Sequence, residues 1–146
     1  MNPVSIWEGQ YSYDSKLQQK MIGFAGTNFK MEFNLLENNY INGKVIEDTN
    51  TGGMEGEGTI IGNIYGNKIE FVKQMPILNV HIGHKKIHKF NSKKHRPIYY
   101  SGIIAEDKKS MSGTWKFKFG FGFLHGLPMI YMPISGTWSA RTTNTF

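Results

Sequence analysis

Met111-Ser112-Gly113-Thr114-Trp115-Lys116-Phe117 sets an apolar residue or a glycine at every second position, with a hydroxyl or a charge between. Successive side chains of a β-strand point to opposite faces, so a period of two means a strand with one dry face. Upstream, Ile98–Ile104 is another apolar run, and Glu106-Asp107-Lys108-Lys109 between the two reads as a turn. Downstream, Ile134, Gly136, Trp138 and Ala140 alternate with Ser135, Thr137, Ser139 and Arg141. The same rhythm runs back toward the start. It is carried by Trp7, Gly9, Tyr11 and Tyr13, then by Phe29, Met31, Phe33 and Leu35. Ile41, Gly43 and Val45 follow, and then Ile69 and Phe71.

Turn chemistry separates these runs. Glu37-Asn38-Asn39, Asn50-Thr51-Gly52-Gly53 and Tyr65-Gly66-Asn67 carry the residues that accept positive φ. Such short links join antiparallel neighbours, because parallel strands need crossovers of roughly a dozen residues. Only the segment 14–21 has helix formers behind an N-cap, and it stops at Gly23 after one or two turns. About eight strands with short links must protect their edges, and closing the sheet does so completely. Gly9, Gly43, Gly113 and Gly136 lie on apolar faces, where glycine lets a strand bend or an aromatic ring cross the backbone. The expectation is an all-β, antiparallel up-and-down barrel of about eight strands, with a β-sandwich as the alternative.

A chain of 146 residues suits one domain spanning 1–146. Aromatics at 14% are too many for a disordered chain. The absence of Cys excludes disulfides and thiolate sites. No apolar run reaches the roughly 20 residues of a membrane helix, and the N-terminal decapeptide lacks the pattern of a secretion signal. The expected location is cytoplasmic. The net charge of +6 has one source. The segment 81–96 holds Lys85, Lys86, Lys89, Lys93, Lys94 and Arg96 without an acid, which accounts for the whole excess of basic over acidic residues. It reads as a protruding basic loop or hairpin.

The run Ile6-Trp7-Glu8-Gly9-Gln10-Tyr11-Ser12-Tyr13 resembles the first strand of the calycin barrels, the superfamily of lipocalins, fatty-acid-binding proteins and avidins. Gly102-Ile103-Ile104 leading into Met111–Phe117 is similar to a late hairpin of such barrels, and Gly136-Thr137-Trp138-Ser139-Ala140 to the closing strand. The resemblance implies a lipocalin-like barrel with a tendency to bind ligands. It names no ligand.

Parity fixes the candidate binding residues. Trp7, Tyr11, Tyr13, Phe29, Phe33, Phe71, Trp115, Phe117 and Trp138 should face inward and line an aromatic interior. Side chains that simply fill the barrel would leave the same pattern. Lys73 continues the parity of Ile69 and Phe71, and Glu47 that of Ile41, Gly43 and Val45. A buried unpaired charge is costly, so an inward Lys73 would need Glu47, water at a strand end, or a ligand anion. Of Tyr99 and Tyr100 one must be lumenal, and its hydroxyl would orient a ligand's polar group; Tyr100 is taken as that residue. His81, His84 and His88 have spacings seen at metal sites, but flanking lysines repel a cation, so no metal and no cofactor is expected. Lys85, Lys86, Lys93, Lys94 and Arg96 are the candidates for an anionic partner, although no RNA-binding signature supports nucleic acid. No nucleophile elbow, P-loop or zinc-protease motif is present. The expectation is a non-enzymatic barrel holding a small apolar or amphipathic molecule. The rival is an interaction module that uses 81–96.

Overall fold

The seven runs become strands of one closed sheet, and an eighth strand, Glu57–Tyr65, completes it. The structure, a computed structural model, describes residues 4–76, 78–81, 87–90, 97–117, 120–124, 126–131 and 134–142. The barrel strands are β1 (Val4–Tyr13), β2 (Thr27–Leu35), β3 (Tyr40–Glu47), β4 (Glu57–Tyr65) and β5 (Lys68–Gln74). They continue, after β6 (Leu78–His81) and β7 (Ile87–Phe90), with β8 (Ile98–Ile104) and β9 (Ser110–Phe117). After β10 (Gly120–Leu124) and β11 (Leu127–Tyr131), β12 (Ile134–Arg141) closes the circle against β1. Each barrel strand pairs antiparallel with its successor in the meander, while β6–β7 and β10–β11 are separate two-stranded hairpins inserted between barrel strands.

The segment 120–129, GFGFLHGLPM, reads by its glycines and proline as an apolar link. It is instead most of the β10–β11 hairpin, with Phe121 opposite Ile130 and Phe123 opposite Pro128. Of the basic segment, His81 and the residues 87–90 lie in the β6–β7 pairing, where His81 stands opposite Ile87. Lys85, Lys86, Lys93, Lys94 and Arg96 lie outside the described residues, as do His84, His95 and His125.

The connections sort by length. At one end, here called lower, lie the Glu37–Asn39 turn, the two-residue link Gly66-Asn67 and the Ala105–Lys109 turn. Asn38 and Asn39 (φ 59° and 66°) and Gly66 (φ 60°) supply the left-handed backbone these need. At the upper end emerge the helix α1 (Lys16–Ile22), the 48–56 loop and both hairpins. Helix α1 begins where predicted: the Ser15 hydroxyl accepts from the Gln18 N–H at 3.3 Å, and Gly23 (φ 92°) closes it by donating to the Gln19 carbonyl. Among the described residues no helix is long and apolar enough to cross a membrane.

Hydrogen-bonded register carries Tyr13 to Gly136, Trp115, Tyr100, Phe71, Gly62, Ile41 and Leu35 in one circuit. It returns to β1 about ten residues below its start, the stagger of a steeply tilted eight-strand barrel whose interior just admits side chains or one small ligand. That circuit sets aromatic rings beside glycines. A Cβ on Gly136 would lie 2.5 Å from the Trp115 ring, and one on Gly102 would lie 2.7 Å from Trp138. The tetrad Ser-Gly-Thr-Trp occurs in β9 and again in β12, and each tryptophan stands opposite the other strand's glycine. The Trp115 N–H therefore crosses β12 to donate to the Thr137 and Ser12 carbonyls at 3.1 Å. The Trp138 N–H crosses β9 toward Thr114 and Ser101 in the same way. Two indoles are thus buried with their polar atoms satisfied.

Candidate functional site

The lower half of the lumen is a plug. Trp7 and Phe33 stack with centroids 6.3 Å apart, and the Trp7 N–H donates to the Ser5 hydroxyl at 2.7 Å. Trp7 is 0% exposed, Phe33 1% and Ile69 0%, so almost no water-sized space touches these walls. Trp7 and Phe33 sit in the packed core, as do Tyr11, Phe71, Tyr100, Trp115, Phe117 and Trp138.

The upper half is different in kind. Lys73, the penultimate residue of β5, points inward as its parity requires. Its ammonium donates to Glu47 Oε2 at 2.6 Å and to the Tyr100 hydroxyl at 2.8 Å. The side chains of Lys73 and Glu47 are 3% and 0% exposed. Glu47, the last residue of β3, also accepts at Oε1 from the Tyr11 hydroxyl at 2.7 Å and from the Met54 N–H at 2.9 Å. The 48–56 loop brings Met54 in. Asp48 accepts from the Asn50 N–H, and Gly52 (φ 88°) turns the chain back so that Met54 tucks over the end of β3. The Lys73 ammonium also lies 4.5 Å above the Tyr11 ring and 4.9 Å above that of Tyr100.

Aromatics frame this cluster. Phe71 stacks on Tyr100 at 4.7 Å, and Trp138 meets both edge-on at 5.6 Å. Trp115 is edge-on to Tyr11 at 5.7 Å and to Tyr13 at 5.0 Å, and lies flat against Phe117 at 5.9 Å. Tyr13, Phe117, Ile98 and Ile134 are the first or last residues of their strands at the upper end. Nine of the eleven predicted lining residues (Tyr11, Tyr13, Phe29, Phe71, Lys73, Tyr100, Trp115, Phe117 and Trp138) thus gather in one half of the barrel. Met54 was not foreseen, because it comes from a loop with no period to follow.

The electrostatics follow from burial and pairing. Burial alone pushes Glu47 up, but the Lys73 ammonium, the Met54 N–H and the Tyr11 hydroxyl outweigh it and hold the carboxyl below its ordinary value. Burial likewise pushes Lys73 down, and Glu47 and Tyr100 outweigh it, so the ammonium stays charged. Tyr11, Tyr13 and Tyr100 are all raised, chiefly by burial, with Glu47 adding to the effect. The cluster therefore holds one positive and one negative charge and is neutral as a whole.

Its hydrogen-bond inventory is unbalanced. The Tyr100 oxygen accepts from Lys73, yet its own proton has no acceptor among the described residues. The Tyr13 hydroxyl makes no hydrogen bond to any described residue, and the third ammonium proton of Lys73 has only ring faces. Glu47 takes three donors from the described residues. Three donors of the cluster are thus left without an acceptor among the described residues.

The outer surface is ordinary by comparison. An open groove of about 1070 Å³ crosses the β1–β12 seam past Gln10, Lys30 and Arg141, and another of about 760 Å³ runs past Tyr40, Ile61 and Lys116. Glu55, Glu57 and Glu70 face solvent. Among the described residues no group of three or more His, Asp or Glu is set to hold a metal ion. Compared with known proteins, the chain matches no family model, no curated protein and no solved structure. The calycin likeness thus rests on the short strand segments and on the closed eight-strand topology, with which it is compatible.

Proposed function

We propose that the protein is a calycin-like barrel that binds one small amphipathic molecule at its upper end, with the apolar part against Tyr13, Trp115 and Phe117 and the polar part at Lys73 and Tyr100. The observation that carries this is the Lys73–Glu47–Tyr100 cluster buried in the upper half, with donors that no described residue accepts. A buried ion pair is a poor stabilising device, since apolar residues of similar volume often do as well or better. Buried ionisable groups with perturbed titration are a common mark of a functional site. The aromatic plug below would serve as the floor, which confines the molecule to the upper half and favours a short one.

Native mass spectrometry compared with the denatured mass tests this directly. The expected result is an extra mass, carried by the folded protein and lost on denaturation, either from the host or after incubation with medium-chain amphiphiles. Identical native and polypeptide masses throughout, with no shift in melting temperature from any amphiphile, would contradict it.

A further inference from the structure

We propose that the polar end of the bound molecule is an uncharged hydrogen-bond acceptor, of the carbonyl type, and that the site discriminates against carboxylates. This rests on the binding reading above and narrows its ligand class. Three donors near the upper rim have no acceptor among the described residues: the Tyr100 O–H, the Tyr13 O–H and one N–H of Lys73. Tyr11 is not among them, because its proton is already given to Glu47. A carbonyl oxygen has two lone pairs and takes two of these three donors without bringing a proton of its own.

Charge decides between a carbonyl and a carboxylate. A lone buried lysine would favour an anion. Lys73 is not alone, because Glu47 lies 2.6 Å from its ammonium and is anchored by Tyr11 and Met54 as well. A ligand carboxylate on the free side of Lys73 would turn a neutral cluster into a buried anion, with Glu47 on the far side of the same ammonium. It would also give up its hydration shell, which is the larger loss for an ion than for a ketone. A neutral acceptor meets neither penalty. Glu47 therefore acts as a specificity-determining residue without contacting the ligand: it cancels the charge that would otherwise recruit acids.

The test uses the full-length chain and three probes of one chain length, 2-undecanone, undecanoate and undecane, titrated by calorimetry. At about pH 8, 2-undecanone should bind tighter than undecanoate by roughly tenfold or more, with undecane weaker than the ketone. Near pH 5 the acid takes up its proton and the gap should narrow. In Glu47→Gln the order should invert, because Lys73 is then an unbalanced cation. In Tyr100→Phe the ketone should lose its advantage over undecane. Should Glu47→Gln not fold, the wild-type comparison decides alone. Undecanoate binding as tightly as the ketone at pH 8, or a folded Glu47→Gln that keeps the wild-type order, overturns the inference and leaves ligand binding standing. Equal affinity for all three probes overturns it too, since the polar cluster would then contribute nothing. If none of the three binds, the binding reading itself fails.

Discussion

Lys73 and Glu47 face each other inside a barrel where each alone would be intolerable. Their inward placement follows from parity, since each continues a run of apolar positions two residues apart. Their distance of 2.6 Å does not, because it depends on how far the strands slip past one another around the circuit. Lys73→Met leaves the Glu47 carboxylate buried without its counter-charge, and the expected loss is about 3–5 kcal/mol by urea unfolding. Replacing both, as Lys73→Met with Glu47→Leu, should recover most of that loss; a double mutant no more stable than the single one would show the pair to be no unit. The pair also sets the pH response. Glu47 is held below its ordinary value when folded, so its contribution is present at neutral pH and fades as acid protonates it, below about pH 4.3. Lys73 and the tyrosines are raised when folded, so theirs is full below about pH 10 and is lost as pH climbs beyond it. Melting temperature against pH should show both limbs, with the acid limb reduced in the double mutant.

Within the strands, β9 and β12 interlock. Each carries Ser-Gly-Thr-Trp, and each indole crosses the other strand at its glycine to reach a carbonyl beyond. Gly136→Ala puts a methyl group 2.5 Å from the Trp115 ring and against the Ser12 carbonyl. The expected loss is about 1–3 kcal/mol with a change in tryptophan emission, whereas Ser139→Ala on the wet face of the same strand should stay within about 0.5 kcal/mol. If the glycine variant is as stable as the serine one, the close approach has no energetic meaning. Strand periodicity exposed most of the barrel strands, because one dry face imposes strict alternation. It did not expose β10–β11. Gly120, Gly122 and Pro128 carry the signature of a loop, and the short run between them shows no clean alternation of apolar and polar residues. The two matching tetrads were visible in the sequence, but their partnership required the register.

At the level of the whole chain, closure joins residues far apart in sequence: Glu8 pairs with Arg141 and Tyr11 with Trp138. Such long-range pairing is slow to form, and refolding monitored by stopped-flow tryptophan fluorescence should fall in the range of about milliseconds to seconds; a microsecond phase completing the signal would argue against the closed sheet as the folding unit. The sequence announced a greasy interior but not how much of it is solid, since filling depends on stagger and side-chain volume rather than on period. The division into an apolar lower half and an upper half that holds a buried charged cluster is what gives the proposed ligand its place and its short length. Amide chemical shifts during titration with 2-undecanone test that division most directly. The account predicts movement at Tyr13, Lys73, Tyr100, Phe117 and Ile134, with Trp7, Phe33 and Ile41 unmoved. Shifts confined to the outer face around Ile61 and Val72, or the plug residues moving as much as the rim, would contradict it.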